Sequence, residues 1–329
     1  MIRRRALPAM AAALLPASSL PTPALAQGAG SWPSRPIRLV VPYPPGGAAD
    51  VAGRLQAGLL SDGLGVPVVV DNRVGAGSTV GTAAVAAAAP DGYTVMMASP
   101  SSHIGAPLLF RNPGYEGVDD FTPIATLSQS TSLLAVTRGL PVNDVGGLVA
   151  YGRANPGKLN FGSSGAGGNN HMLGVLFMRQ TGIEMTHVPY RGGAQALADL
   201  ISGQIQLVFD PFAGILPTVR AGLVRALAVT SPARRPLAPE FPTVQEGGVP
   251  DFDLSSFSAV MGPLGIPEPV VLRMNAAINE GLRKPETVER LAGLGLVPFA
   301  TTPAELGALL RAQRTRWQEL VRATGLQPE

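Results

Sequence analysis

The sequence predicts an α/β protein made of two α/β lobes with a ligand cleft between them. Two observations on its 329 residues lead there. Apolar runs rich in β-branched residues alternate with helical periodicities from residue 37 to 98, and a second alternating set runs from 145 to 230. Between and after the two sets, bridging stretches near residues 127 and 252 carry the chain out of the first set and back into it. Strand–helix alternation of this kind argues for parallel sheets covered by helices.

Taken in order, residues 37–42 read as a strand that stops at Pro42-Tyr43. The Pro44-Pro-Gly-Gly47 corner then opens a helix over 49–60. A second strand covers 66–72. Gly75-Ala-Gly77 turns into a helix that Pro90 stops, and Asp91-Gly92 precedes a strand over 93–98. Residues 121–136 hold two β-like runs with no helix between them. The second set places helices at 145–154, 171–181, 193–202 and 215–221, and strands at 159–162, 185–189, 205–209 and 225–230. Gly203 supplies a C-terminal stop. The proline-rich stretch 232–250 reads as loop, 255–261 as a strand, and 269–282 and 303–323 as helices, the last with Arg314, Trp317 and Val321 at helical spacing. The expected partition is one lobe from 36–126 plus 253–329 and a second from 127–252. Hinges near 127 and 252 would let the lobes close like jaws.

The N-terminus has a secretory layout. Arg3, Arg4 and Arg5 precede an Ala/Leu-rich run, and Ala24-Leu-Ala26 is a small-x-small cleavage signature before Gln27. Residues 1–26 are therefore expected to be a signal peptide that sends the protein to the periplasm by the Sec or the twin-arginine route. That segment holds three arginines and no acid, so the remaining chain has 22 basic and 22 acidic side chains, and the net charge of +3 falls to zero. A neutral chain is no candidate for nucleic-acid or membrane-surface binding. There is no cysteine, which removes disulfides, thiolate nucleophiles and cysteine metal sites.

The most informative stretch is Ile37-Arg-Leu-Val-Val-Pro-Tyr-Pro-Pro-Gly-Gly-Ala-Ala-Asp50, a strand, a glycine corner and a helix start. The first N–H groups of a helix have no partner inside it, and the positive end of the macrodipole lies behind them. An anion such as a carboxylate is held there without a charged side chain. Tyr43, Pro44, Gly46, Gly47 and Ala48 are the candidate ligand-binding residues of this corner. Asp50 reads first as a helix-start charge with Arg54 one turn on.

The same stretch, from Pro36 to Asp50, resembles the opening of the Bug family, the extracytoplasmic solute receptors of tripartite tricarboxylate transporters. The resemblance continues in order through Asp71-Asn-Arg-Val-Gly-Ala-Gly77, Pro90-Asp-Gly-Tyr-Thr94, Phe121-Thr-Pro-Ile-Ala125, Asn160-Phe-Gly-Ser-Ser-Gly165, Val188-Pro-Tyr-Arg-Gly192 and Arg225-Ala-Leu-Ala-Val-Thr-Ser231. It implies a type II periplasmic-binding-protein fold and capture of a small organic acid by main-chain amides of two facing junctions. It further implies delivery to membrane transporter subunits, by a protein expected to be a monomer that needs no cofactor and no metal.

By position, the second junction runs from Ser163 to His171, with Ser163, Ser164, Gly165, Asn169 and His171 as candidates. Tyr190, Arg191, Gly192 and Asp210 fall on the same rim. Ser163 and Ser164 suit either donation to a carboxylate or helix capping, and Asp210 suits either an ammonium or hydroxyl of the ligand or a turn before Pro211. Three positions depart from the family pattern: Gly167-Gly168 lacks the usual hydroxyl, Val175 stands where a glutamate is common, and Gln206 where an acid is frequent.

Enzyme readings find little support. Gly75 to Gly81 has the wrong spacing for a dinucleotide fingerprint, no phosphate-loop lysine motif is present, and Gly162-Ser-Ser-Gly165 is not a nucleophile elbow. His103, His171 and His187 are scattered, with no metal-site spacing. The protein is expected not to be an enzyme. The alternatives are an orphan receptor that reports its ligand to a signalling partner and a serine hydrolase using Ser163 with His187.

Overall fold

The computed structural model describes residues 32–165, 168–190, 192–235 and 238–324. The signal-peptide stretch 1–26 lies outside the described residues. The strands are β1 (Ile37–Val41), β2 (Val68–Asn72), β3 (Thr94–Ala98), β4 (Phe121–Ser130), β5 (Ser132–Thr137), β6 (Leu159–Ser163), β7 (Met185–Pro189), β8 (Leu207–Pro211), β9 (Val224–Val229), β10 (Ser256–Pro263) and β11 (Val297–Pro298). The helices are α1 (Ala48–Leu64), α2 (Thr79–Ala86), α3 (Ala106–Leu109), α4 (Val145–Ala154), α5 (Asn169–Thr181), α6 (Gly193–Ser202), α7 (Phe212–Arg220), α8 (Glu268–Gly281), α9 (Pro285–Gly293) and α10 (Pro303–Thr324).

The strands form two sheets, one ordered β11-β4-β10-β3-β1-β2 and the other β7-β6-β8-β5-β9. Both are mixed rather than wholly parallel. Strands β1, β2 and β3 run parallel, as do β6, β7 and β8, whereas β10 and β5 run against their neighbours. The reason lies in the connections. Parallel strands of each set end facing the other sheet, and β5 and β10 are the strands that arrive from that other sheet. They enter at the end where the rest leave. The chain crosses outward at Thr131, between β4 and β5, and returns between β9 and β10.

Hydroxyl groups pin these crossings. Thr131 and Thr230 share a hydrogen bond of 3.1 Å, Ser132 N–H donates to Thr230 Oγ1, and Ser128 and Ser258 are bonded at 2.9 Å. One apolar core extends under both sheets. Trp317, Leu310 and Leu320 of α10 join Phe161, Phe177, Phe209 and Phe252 in it, all buried. The C-terminal helix thus packs on α5 of the second sheet, and Arg179 pairs with Glu319 at 3.6 Å on the rim of that contact. A smaller core under α6 and α7 holds Leu133, Leu200, Phe212 and Ile215.

Candidate functional site

The first junction is built around Asp50. After β1 the chain turns through Gly46 at φ +81°, a conformation glycine adopts without a Cβ penalty, and α1 begins after the extended Gly47. The Asp50 carboxylate accepts from Arg54 Nε, Gly46 N–H and Asn72 Nδ2, each at 2.9 Å. Asn72 Nδ2 also reaches Tyr43 O at 3.1 Å. The Arg54 bond, followed by the Gly46 and Asn72 bonds, holds the carboxyl down at about 2. The pairing with Arg54 is the one the sequence suggests. The Gly46 amide, expected to face a ligand, is instead spent on Asp50, so the corner is a rigid support. Tyr43, Pro44 and Ala49 face cavities, while Gly46 and Gly47 are exposed and outside the cavity linings.

At the second junction Ser163 is buried. Its Oγ donates to Gly165 O at 2.9 Å, accepts from Gly165 N–H at 3.2 Å, and lies 2.6 Å from His187 Nε2. This hydroxyl shapes the turn. Ser164 is exposed and donates to Asn170 Oδ1 at 3.2 Å; Ser164, Gly168, Asn169 and Asn170 line the cleft. His171, read as a possible donor to bound acid, is buried and stacked on His187 with ring centroids 3.8 Å apart. Burial, and then the neighbouring His187, lowers its pKa to about 4, so the ring is neutral at pH 7. The ring stands on the third residue of α5, in a run buried from Asn170 to Phe177, and it turns inward where Phe161 and His187 offer it a face.

The remaining rim residues divide. The Tyr190 hydroxyl donates to Asp199 Oδ2 at 2.7 Å and its ring packs beside Gly162, so it supports β6 rather than lining the cleft. Arg191 lies outside the described residues. Gly192 is the extended residue before α6, and the next two residues, Gly193 and Ala194, line the cleft. Asp210 faces the same space from the end of β8. A Cβ on Gly193 would sit 3.1 Å from its Oδ1, and one on Gly214 3.5 Å from its Oδ2. Partial burial pushes this carboxyl up to about 6. Among the described residues no ion pair involves it.

Ser164, Gly168, Asn169, Asn170, Gly193 and Asp210 line a cleft of about 560 Å³ at the mouth of the second sheet. Three helix starts point into it: α5 at Gly168–Asn170, α6 at Gly193–Ala194 and α7 at Pro211. A neighbouring cavity of about 510 Å³ is lined by Tyr43 and Pro44 of the first junction together with Ser164 and Gly168 of the second, so the two junctions face a common space. A third cavity, of about 310 Å³, shares Ser130 and Ser256 with the cleft. Among the described residues lining the three, Asp210 is the sole acid, and there is no Lys, Arg or His. No group of three or more His, Cys, Asp or Glu able to hold a metal occurs among the described residues.

Hydroxyls absent from the sequence candidates also line the cleft: Ser130, Thr131, Ser132 and Ser256 at the crossings, and Ser101 after β3. The signal for the crossing hydroxyls is the clustering of Ser and Thr at strand ends in Ser128-Gln-Ser-Thr-Ser132 and Ser255-Ser256, where a buried sheet strand would otherwise be apolar.

Two sheets that exchange strands across a cleft, with helix starts converging on it, define a two-lobed α/β binding protein of the type II periplasmic class. The chain belongs to the tripartite tricarboxylate transporter receptor family: residues 51–326 match the family model described as "Tripartite tricarboxylate transporter family receptor". It is similar to protein BugT of Bordetella pertussis, 36% identical over 90% of this chain and 91% of that one. Among solved structures it is similar to R. palustris Rpa4515 with adipate, at 35% identity and TM-score 0.75 over 91% of this chain and 100% of that chain. It is also similar to MatC (Rpa3494) from Rhodopseudomonas palustris with bound malate, at 31% identity and TM-score 0.71 over 88% and 100%. The motifs that resemble the Bug family thus belong to a chain of that family.

Proposed function

We propose that the protein is a periplasmic solute receptor that captures a small organic carboxylate in the cleft and delivers it, as a monomer, to the membrane subunits of a tripartite tricarboxylate-type transporter. The observation that carries this reading is the convergence of the α5, α6 and α7 starts on one cleft that no cationic side chain among the described residues lines. Unpartnered N–H groups at helix starts attract an anion. Hydrogen bonds to a charged group contribute roughly 1.5–3 kcal/mol each. A few of them reach micromolar affinity, about −8 kcal/mol. The adipate and malate held by the relatives Rpa4515 and MatC are acids of this class. In this reading the two sheets are the cores of two lobes that close around the ligand by bending at Thr131 and at the return between β9 and β10.

Ligand-stripped protein starting at Gln27, titrated by calorimetry with a panel of mono-, di- and tricarboxylates, tests the reading. Micromolar binding of at least one acid is expected, and silence across the whole panel would sink it. Cell fractionation and N-terminal sequencing test the export, with a mature terminus at Gln27 expected. Light scattering with and without ligand tests the monomer.

A further inference from the structure

The 310 Å³ cavity beside the cleft has a different chemistry from the cleft itself. Val51 and Ala52 of α1, Met97 of β3, Phe257 of β10, and Leu294 and Leu296 between α9 and β11 wall it. The hydroxyls that also reach it are turned onto one another: Tyr43 OH is bonded to Ser99 Oγ at 2.7 Å and Ser128 Oγ to Ser258 Oγ at 2.9 Å. The cavity opens toward the polar cleft at Ser130 and Ser256, which line both spaces. A hydroxyl or second carboxylate placed among these walls would lose its hydration and find few partners. A hydrocarbon segment would gain by leaving water there, by about fourfold in affinity for each methylene buried.

We infer that the captured acid carries an apolar body, alkyl or aryl, seated in the cavity walled by Val51, Ala52, Met97, Phe257, Leu294 and Leu296, while its carboxylate stays in the cleft. The inference rests on the carboxylate reading above and adds the substrate class to it. The polar cleft supplies the attraction common to all acids, and the adjoining cavity ranks acids by the hydrocarbon they carry. Leu294 and Leu296 are the adjustable part of the wall, because both are half-buried and sit on a connecting segment outside the regular elements.

Calorimetry on ligand-stripped wild type and on Leu296→Gln tests it with two series, acetate–butanoate–hexanoate and succinate–adipate–suberate. Within the monocarboxylate series, affinity is expected to rise by at least tenfold from acetate to the best longer acid, and by less along the dicarboxylates, whose far carboxylate meets the same apolar walls. Leu296→Gln should lose at least fivefold for the longer acids and leave the shortest unchanged. The wild-type chain-length trend stands as a readout even if the variant is poorly folded. Equal affinity along the monocarboxylates, binding of dicarboxylates alone, or a trend that Leu296→Gln leaves intact in a folded variant overturns the apolar seat and spares carboxylate capture. Failure of every acid to bind overturns both.

Discussion

Ser163 Oγ stands 2.6 Å from His187 Nε2, and His187 stacks on His171 in turn. The first contact is what a hydrolase would need, but the surroundings do not suit one. Ser163 is 1% exposed, and its hydroxyl is already engaged with both the N–H and the carbonyl of Gly165. His187 lies against Phe161 and His171, and among the described residues no carboxylate is bonded to it. A nucleophile needs access to substrate and a base held by a third group. Wild type and Ser163→Ala are expected to hydrolyse an activated ester such as p-nitrophenyl acetate at the same background rate. A rate that vanishes with the hydroxyl would restore the enzyme reading.

The buried histidines give the fold an acid limit. Burial lowers His171 to about 4 and His103 to about 3, whereas both titrate near 6.5 in the unfolded chain. Below pH 6.5 the unfolded state therefore takes up protons that the folded state refuses, and stability falls as pH drops from 6.5 toward 4. It is fully present above 6.5. The slope approaches roughly 1 kcal/mol per pH unit for each ring. Thermal melts between pH 7.5 and 5 should show a falling Tm, and His171→Phe, which keeps a ring against His187, should flatten that fall. An unchanged slope in the variant would remove His171 from the account.

The sequence carried the two junctions because strand, glycine corner and helix start are local events, written in consecutive residues such as Val41 to Ala49. The strand reversals of β5 and β10 were not legible. Their direction depends on the chain arriving from the other sheet, which no window of Ser132–Thr137 or Ser256–Pro263 reveals. Nor was α9 legible: Pro285–Gly293 is short and flanked by charges, and it is held by packing rather than by propensity. At the site, the residue types of each junction are written in consecutive sequence, but the direction in which a group points is not. His171 turned inward and the Gly46 amide went to Asp50, because a neighbour distant in sequence, His187 in one case and Asn72 in the other, completed a better local arrangement.

Asp50 should govern the first junction without touching ligand. Its side chain is 3% exposed and joins Gly46, Arg54 and Asn72, and through Asn72 the carbonyl of Tyr43. Asp50→Ala removes the shared acceptor that joins Gly46, Arg54 and Asn72, at a cost of about 2 kcal/mol. The Tyr43 segment loses its anchor with it. The expected outcome is a lower Tm together with a Kd several-fold weaker. Because the carboxyl is held at about 2, its contribution is present above pH 3.8 and is lost as pH falls through 2. A variant with unchanged Tm and Kd would show that the corner holds its shape alone.

Gly295 is the point where the connection from α9 to β11 meets the start of α7, between the two sheets. It adopts φ +67°, and a Cβ there would come within 2.3 Å of Ala213 Cβ and 3.0 Å of Ala213 Cα. Gly295→Val therefore wedges this contact and strains the turn. Its flanking residues Leu294 and Leu296 wall the apolar cavity, so the damage reaches the ligand. Affinity for the best acid should fall tenfold or more, and small-angle scattering should show a ligand-saturated state more extended than that of wild type. A variant that binds and compacts like wild type would show that the loop yields without effect.

Asp210 should act as a discriminator against a second negative charge in the cleft. It is the sole acid among the described lining residues, placed between Gly193 and Gly214 at the starts of α6 and α7. Burial raises its folded pKa to about 6 from an unfolded value of 3.8, so the folded state holds the proton more tightly. The stabilising protonation is complete below pH 3.8 and is lost as pH rises through 6. Asp210→Asn keeps the shape and removes the charge; at pH 7.5 it should raise Tm by about 2 °C, on the order of 1 kcal/mol. It should also strengthen dicarboxylates several-fold relative to monocarboxylates, because the repulsion that wild type directs at the distal carboxylate is gone. In wild type the same preference should emerge as pH falls below 6, where Asp210 becomes neutral, and should be absent from the pH profile of the variant. A dicarboxylate-to-monocarboxylate ratio that neither the substitution nor pH alters would place the second carboxylate away from Asp210.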